Sequence, residues 1–365
     1  MARTHEGGSR QRRGIGGAGR AANAKAGRRQ TKTVNLALQG GGAHGAFAWG
    51  VLDRLLEDGR IAFEGITATS AGAMNAVALA DGLIAGGREG ARQALAAFWR
   101  RVSDAAILSP LQPTLLDRVT GDHSLEHSPG FLGFDLITRL FSPYQFNPHN
   151  YNPLRAVLDE TIDFERLHNS RALKVFVSAT NVRTGKIRVF NNNELSVDAV
   201  LASACVPYLF QAVEIDGDLY WDGGYMGNPA IFPVIYECDS RDVVVVHVNP
   251  MYRAQEPRTA REVLNRINEI SFNSSLMREM RAIAFVTRLI DEGQAGAGAL
   301  KRMLIHAIEA DGSLCGLSAL SKFNADWQFL ITLRDAGRER AGLWLAESFD
   351  SLNVESTVDI AAKYL

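Results

Sequence analysis

Cysteine is scarce. Cys205, Cys238 and Cys315 are the whole complement of a 365-residue chain, an odd number at wide spacing. That excludes a disulfide framework and a zinc-ligand pattern, and it fits a reducing, cytoplasmic compartment. Long apolar runs are missing too. No stretch approaches the length of a membrane span, so the chain is expected to be soluble or at most to rest on a lipid surface. Neither sign of charge is in excess: the formal net charge is -1, which argues against a nucleic-acid binder as a whole.

One asymmetry hides in that balance. Across residues 1–32, Arg3, Arg10, Arg12, Arg13 and Arg20, then Lys25, Arg28, Arg29 and Lys32, stand against a lone Glu6. Large apolar side chains are almost absent there, so this basic tail is expected to be disordered. It also lacks the apolar core of a secretory signal. A solvated tail is the plain reading; loose attraction to anionic lipid or nucleic acid is the sharper one.

From Thr33 onward strands and helices alternate. TVNLAL reads as a strand, followed by a glycine loop and a helix over Ala46–Asp58; GITATS is a short strand before an Ala-rich helix, and Ala91–Val102 continues as helix. Residues 103–152 are apolar but poorly periodic, as in a cap or lid. KVFVSATNV, GKIRVF and VEIDGDLYW read as strands, with a helical SVDAVLASA before the last. DVVVVHVNP is so uniformly apolar that both its faces must be covered, as in a central parallel sheet. The sum is a three-layer α/β/α domain over residues 33–250 with a mostly parallel sheet, then a helical C-terminal extension over residues 251–365.

Three readings compete for the stretch QGGGAHGAF, Gln39 to Phe47. Gly40, Gly42 and Gly45 match the dinucleotide fingerprint, but that motif needs an acidic residue at the end of the next strand. Glu64 stands too early, and Ser70 occupies the strand's end. A phosphate-binding P-loop lacks its Gly-Lys-Ser/Thr. The third reading joins this loop to ATSAG, which sets Ser70 at a sharp strand-to-helix turn among small neighbours, including Ala68 and Gly72. A glycine loop above such a serine is an oxyanion hole: its N–H groups meet a charge that exists only while Ser70 attacks an acyl carbon. The serine needs a base. Asp222 in YWDGGYMGNP ends a strand, and Gly223 and Gly224 let its carboxylate lean into a crowded site.

With QGGGAHG, TSAGAMNA, ASACVPYLF and DGGYMGNP in that order, the chain resembles the patatin-like phospholipase family over roughly Val34 to Pro250. The resemblance implies a three-layer α/β/α fold and a metal-free, cofactor-free acyl hydrolase with a Ser–Asp dyad. On its motifs Ser70 falls on the nucleophile, Asp222 on the base, and Gly40, Gly41, Gly42 and Gly45 on the oxyanion loop. Pro207 and the Asn228–Pro229 pair lie in further family blocks, and the helical third resembles an extension of some bacterial members. Two positions depart from the pattern. Ala68 stands where the family has glycine, and His44 where it often has Arg or Lys, a residue that anchors the loop or adds positive charge.

Rival readings remain for several residues. His247 completes a Ser–Asp–His order, yet it is embedded in a strand and reads better as a core histidine bonded to a neighbour. His44 is either a loop anchor or a solvent-facing residue. Ser203 and Cys205 read as packing residues. The aromatics Phe131, Phe134, Phe141, Tyr144 and Phe146 read as core, with an acyl-chain gate as the minority view. The expected function is a serine acyl hydrolase of lipid-like esters, with a lipid or acyl-ester substrate, lipid-surface contact and no specific nucleic acid. The alternative is a catalytically weak fold serving as a lipid-binding or regulatory module, and a dinucleotide binder is the least favoured reading.

Overall fold

The computed structural model describes residues 31–107, 140–253, 256–294, 300–310 and 319–365, with isolated positions between them. The basic tail up to residue 30, most of the cap stretch, Phe131, Phe134 and Cys315 lie outside the described residues.

Strand β1 (Lys32–Leu38) runs into the glycine loop and α1 (Gly45–Asp58); β2 (Ile61–Ala68) runs into α2 (Ala71–Ala106). Each strand is a short β-branched or apolar run ended by small residues, and each helix starts where periodicity changes to helical. Helix α2 breaks its helical dihedrals at Gly86 and Gly87, which joins the two helical runs read from the sequence. After a single helical turn at Pro143–Phe146 come α3 (Pro153–Thr161) and α4 (Phe164–Asn169), started by the Asn152 and Asp163 side chains, which accept the N–H groups of Leu154 and Arg166. Then come β3 (Lys174–Asn181), β4 (Ile187–Phe190), α5 (Val197–Ser203), β5 (Val213–Ile215), β6 (Asp218–Asp222), α6 (Phe232–Glu237) and β7 (Asp242–His247). The last third holds α7 (Ala260–Asp291), β8 (Leu304–Glu309), α8 (Trp327–Ser348) and α9 (Ile360–Tyr364).

The sheet has the order β5-β6-β3-β2-β1-β7-β8, with β4 also paired to β3. β3, β2, β1, β7 and β8 are parallel; β4 and β6 run antiparallel to β3, and β5 antiparallel to β6. Side chains alternate between two apolar clusters, because successive residues of a strand point to opposite faces. Val34, Leu36 and Leu38 of β1 and Val244 and Val246 of β7 join α1, α2 and α8 in one core. Ala37, Val243 and Val245 join α6, α7 and α9 in the other.

Residues 251–365 are therefore helical as expected, but they are also built into the layers. Helix α7 covers the second face through Leu276, Met280 and Ile283, and β8 extends the sheet beyond β7. Strand β8 is not visible in the sequence reading: LIHAIE is short and carries His306 and Glu309, so its apolar pattern is too brief to separate from a helix turn. Helix α8 lies on α1 at backbone contact. A Cβ on Gly50 would collide with the Arg334 carbonyl, and one on Gly337 with the Phe47 carbonyl.

Candidate active site

Thr69 and Ser70 make the entire turn between β2 and α2. Ser70 adopts φ 56° and ψ -125° there, a left-handed conformation that costs an L-residue about 1–3 kcal/mol and persists only when its surroundings hold it. Three bonds hold it. The Thr69 N–H donates to the Leu38 carbonyl (3.3 Å), the Thr69 hydroxyl to the Gly227 carbonyl (2.6 Å), and the Ser70 N–H to Ser203 Oγ (2.8 Å). Ala68 is buried in the sheet between Leu38 and Val177. Gly72 presses on the Leu38 and Gln39 carbonyls, which sets α2 directly against the end of β1.

Sheet register brings Asp222 to the same level. Ala68 pairs with Val177, and Ala179 pairs with Asp222 across the antiparallel β3–β6 ladder, so Ser70 and Asp222 each sit one pleat beyond the Ala68–Val177 rung. The Asp222 carboxylate accepts the Gly224 N–H (2.7 Å), and the Ser70 hydroxyl lies near enough to favour its charged form. Its backbone is fixed by the Cys205 carbonyl and the Thr180 hydroxyl, both at 2.8 Å. Gly223 packs against Ser178 and Thr69. Burial pushes the Asp222 carboxyl up to about 6, against the opposing pull of the Gly224 N–H, the Ser70 hydroxyl and the Lys322 ammonium. It is ionised at neutral pH yet far more basic than a surface aspartate.

The glycine loop lies directly over the serine. A Cβ on Gly40 would stand 2.6 Å from Ser70 Cβ, and the Gly40 N–H donates to Asn228 Oδ1 (2.7 Å). The Gly45 N–H is spent on the carbonyls of Ala43 and Gly42. The N–H groups of Gly41 and Gly42 donate to no acceptor among the described residues. Of the four glycines expected to form an oxyanion hole, two thus retain amide hydrogens for a ligand. Gly42 has φ 58° and a Cβ there would strike the Lys322 carbonyl, so only glycine fits.

His44 is neither solvent-facing nor cationic. It is buried, its Nε2 lies 2.7 Å from Ser321 Oγ, and burial, then the Lys322 and Arg253 charges, hold its pKa well below the ordinary value. His247 is a buried strand residue bonded to the Tyr364 hydroxyl at 2.8 Å. Glu64 lies inside β2 and accepts the N–H groups of Asp239 (2.6 Å) and Ser240 (2.7 Å), an arrangement that leaves it no ribose to hold. Phe141 and Tyr144 of the cap stretch are exposed rather than core.

Four residues escape the sequence reading. Ser203, taken for packing, accepts the elbow's N–H. Gln39 bridges the loop to β7: its Oε1 accepts the N–H groups of Val248 (3.0 Å) and Asn249 (3.1 Å). Asn249 Nδ2 donates to the Gly40 carbonyl (2.6 Å), and Lys322 Nζ donates to Asn249 Oδ1 (2.7 Å). Gln39 stands inside the glycine-loop motif; nothing in the sequence marks the roles of Asn249 or Lys322.

No curated protein matches the sequence. Among solved structures, VipD from Legionella pneumophila is similar with a TM-score of 0.39 at 15% identity, covering 91% of this chain and 72% of that one. ExoU in complex with SpcU, from the type III secretion system of Pseudomonas aeruginosa, is similar with a TM-score of 0.31 at 14% identity, covering 88% of this chain and 52% of that one. The type III effector ExoU by itself gives 0.29 at 16% identity, over 86% and 54% of the two chains. The patatin-like phospholipase model matches residues 36–235, more than half of the chain and the whole span from the glycine loop to α6. The chain belongs to the patatin-like phospholipase family.

Proposed function

We propose that the chain is a serine acyl hydrolase of lipid esters, with Ser70 as nucleophile, Asp222 as base and the Gly41 and Gly42 amides as oxyanion donors. The observation that carries this reading is the left-handed Ser70 at the same level of the sheet as Asp222, a buried carboxylate of raised basicity. In the first step the Ser70 Oγ–H bond breaks, its proton passes to Asp222, and Oγ bonds the acyl carbon. The carbonyl oxygen becomes an oxyanion facing the two free amides. Collapse breaks the bond to the alcohol, which leaves with the proton from Asp222. In the second step Asp222 takes a proton from water, the resulting hydroxide attacks the acyl-serine, and Ser70 regains its proton as the fatty acid departs.

The substrate class follows from the family: a carboxylic ester of a lipid, whether phospholipid, neutral acylglycerol or storage polyester. Chromogenic acyl-ester hydrolysis by the wild type, Ser70→Ala and Asp222→Asn tests the assignment; a rate unchanged in either variant refutes it. Lipid binding without fluorophosphonate labelling of Ser70 supports a non-catalytic lipid-binding module instead.

A further inference from the structure

The last third of the chain grips the glycine loop at three points, all within the short helical turn Ala319–Phe323. The Ser321 hydroxyl bonds His44 Nε2. The Lys322 carbonyl abuts Gly42, closely enough to forbid any side chain there. The Lys322 ammonium bonds Asn249 Oδ1 at 2.7 Å, and Asn249 in turn holds the Gly40 carbonyl at 2.6 Å. Lys322 and Asn249 both lie beyond the residues matched by the family model.

Charge adds to this geometry. The loop's own candidate cation, His44, is buried and neutral, so it supplies no positive charge. Lys322 is partly buried and acts on Asp222 across the site. The charged groups around it are Asp222 of β6, Glu269 of α7 and Arg253 of the segment after β7, with neutral His44 on the loop. Glu269 is shared, since Arg253 and Arg266 both pair with it at 2.7 and 3.1 Å.

We propose that Lys322 is a positioning residue for the Ser70–Asp222 reaction: its ammonium holds the glycine loop through Asn249 and supplies the positive charge that the loop itself lacks. This rests on the dyad reading above. A cation at this place favours the ionised form of Asp222 and stiffens the carbonyl side of Gly40, next to the two unpaired amides. Burial, reinforced by Arg253 and opposed by Glu269 and Asp222, draws the Lys322 ammonium down to about 8, so the charge is lost in mildly alkaline solution.

The test is the pH profile of kcat/KM for a soluble acyl ester, taken on the full chain as wild type, Lys322→Met and Lys322→Arg, with Ser70→Ala as reference. The wild type is expected to rise through an acid limb near 6 and fall through an alkaline limb near 8. Lys322→Met is expected to lose the alkaline limb, to move the acid limb up by about one pH unit, and to fall on the order of tenfold at pH 7. Lys322→Arg keeps its charge and is expected to hold its rate at pH 9, where the wild type declines. Lys322→Met with both limbs in place overturns the proposal. So does a wild-type profile with no alkaline limb, a measurement that does not depend on any variant folding. Wild-type rates in Ser70→Ala overturn the dyad itself, a separable outcome.

Discussion

Asn228 Oδ1 lies 2.7 Å from the Gly40 amide nitrogen, so this N–H is already paired, while those of Gly41 and Gly42 meet no acceptor among the described residues. On the proposed reading this bond leaves the oxyanion to Gly41 and Gly42 rather than Gly40. Asn228→Ala orphans a buried N–H, at a cost of about 1–3 kcal/mol to stability. It also frees the loop to rotate. The expected result is a kcat lower by roughly tenfold to a hundredfold, with KM little changed, since a transition-state contact is lost rather than a ground-state one. Steady-state kinetics alongside urea unfolding measures both; an unaltered kcat would show that the loop does not need this anchor.

Asp222 is expected to trade stability for activity. Folded Asp222 titrates near 6, raised above the ordinary aspartate value of ~4 that the unfolded chain keeps. As pH rises, the unfolded state loses its proton first, so stability falls between about pH 4 and pH 6 and is level above that. The loss is on the order of 3 kcal/mol. Asp222→Asn keeps an acceptor for the Gly224 N–H and removes the buried charge. Its melting temperature should exceed that of the wild type by several degrees at pH 8, with little difference at pH 4, while hydrolysis collapses. Equal melting temperatures at pH 8 would mean that the carboxylate is better solvated than its burial implies.

The features legible in the sequence are those written in consecutive residues. Glycine loop, elbow and DGG turn are each a few residues long, and the register of the β2–β3–β6 ladders does the rest. The uniformly apolar run DVVVVHVNP likewise announces a covered parallel sheet. Contacts made at long range stay hidden. Asn249 reaches the loop because β7 pairs with β1, and Lys322 because the last third of the chain folds back onto it; neither residue type at its own position carries a signal. Ser203 reads as packing in an Ala-rich helix because its partner, the Ser70 N–H, is far away in sequence. His44 shows the limit from the other side: residue type alone leaves open a cation or an anchor, and burial decides for the anchor.

The two described cysteines are expected to resist alkylation. Cys205 and Cys238 are buried, and burial pushes their thiols up to about 12 and about 11; Cys205 is raised further by the neighbouring Asp222 charge. Only the thiolate reacts with iodoacetamide at an appreciable rate. Native protein at pH 7.5 should therefore show neither residue modified by peptide mass spectrometry, and protein in urea should show both. Rapid native modification of Cys205 would place an open, polar path beside Asp222.

Helix α8 offers two glycine sites at which the same substitution should act with opposite sign. Gly337 faces α1: an added Cβ collides with the Phe47 carbonyl and comes within 3.0 Å of the Val51 nitrogen, both backbone atoms that cannot swing aside. Gly342, on the same helix, would meet only Arg54 Nε, at 3.6 Å. Gly337→Ala must separate the two helices, an overpacking cost of about 1–3 kcal/mol. Gly342→Ala only gains helix propensity, about 0.5–1 kcal/mol in favour of the fold. Because α1 starts at Gly45, at the end of the glycine loop, the first substitution should also lower kcat, and the second should leave it alone. Paired urea titrations and ester hydrolysis on the two variants read both effects. If Gly337→Ala is as stable and as active as the wild type, α8 and α1 are not in backbone contact, and the C-terminal third has less hold on the loop through this seam.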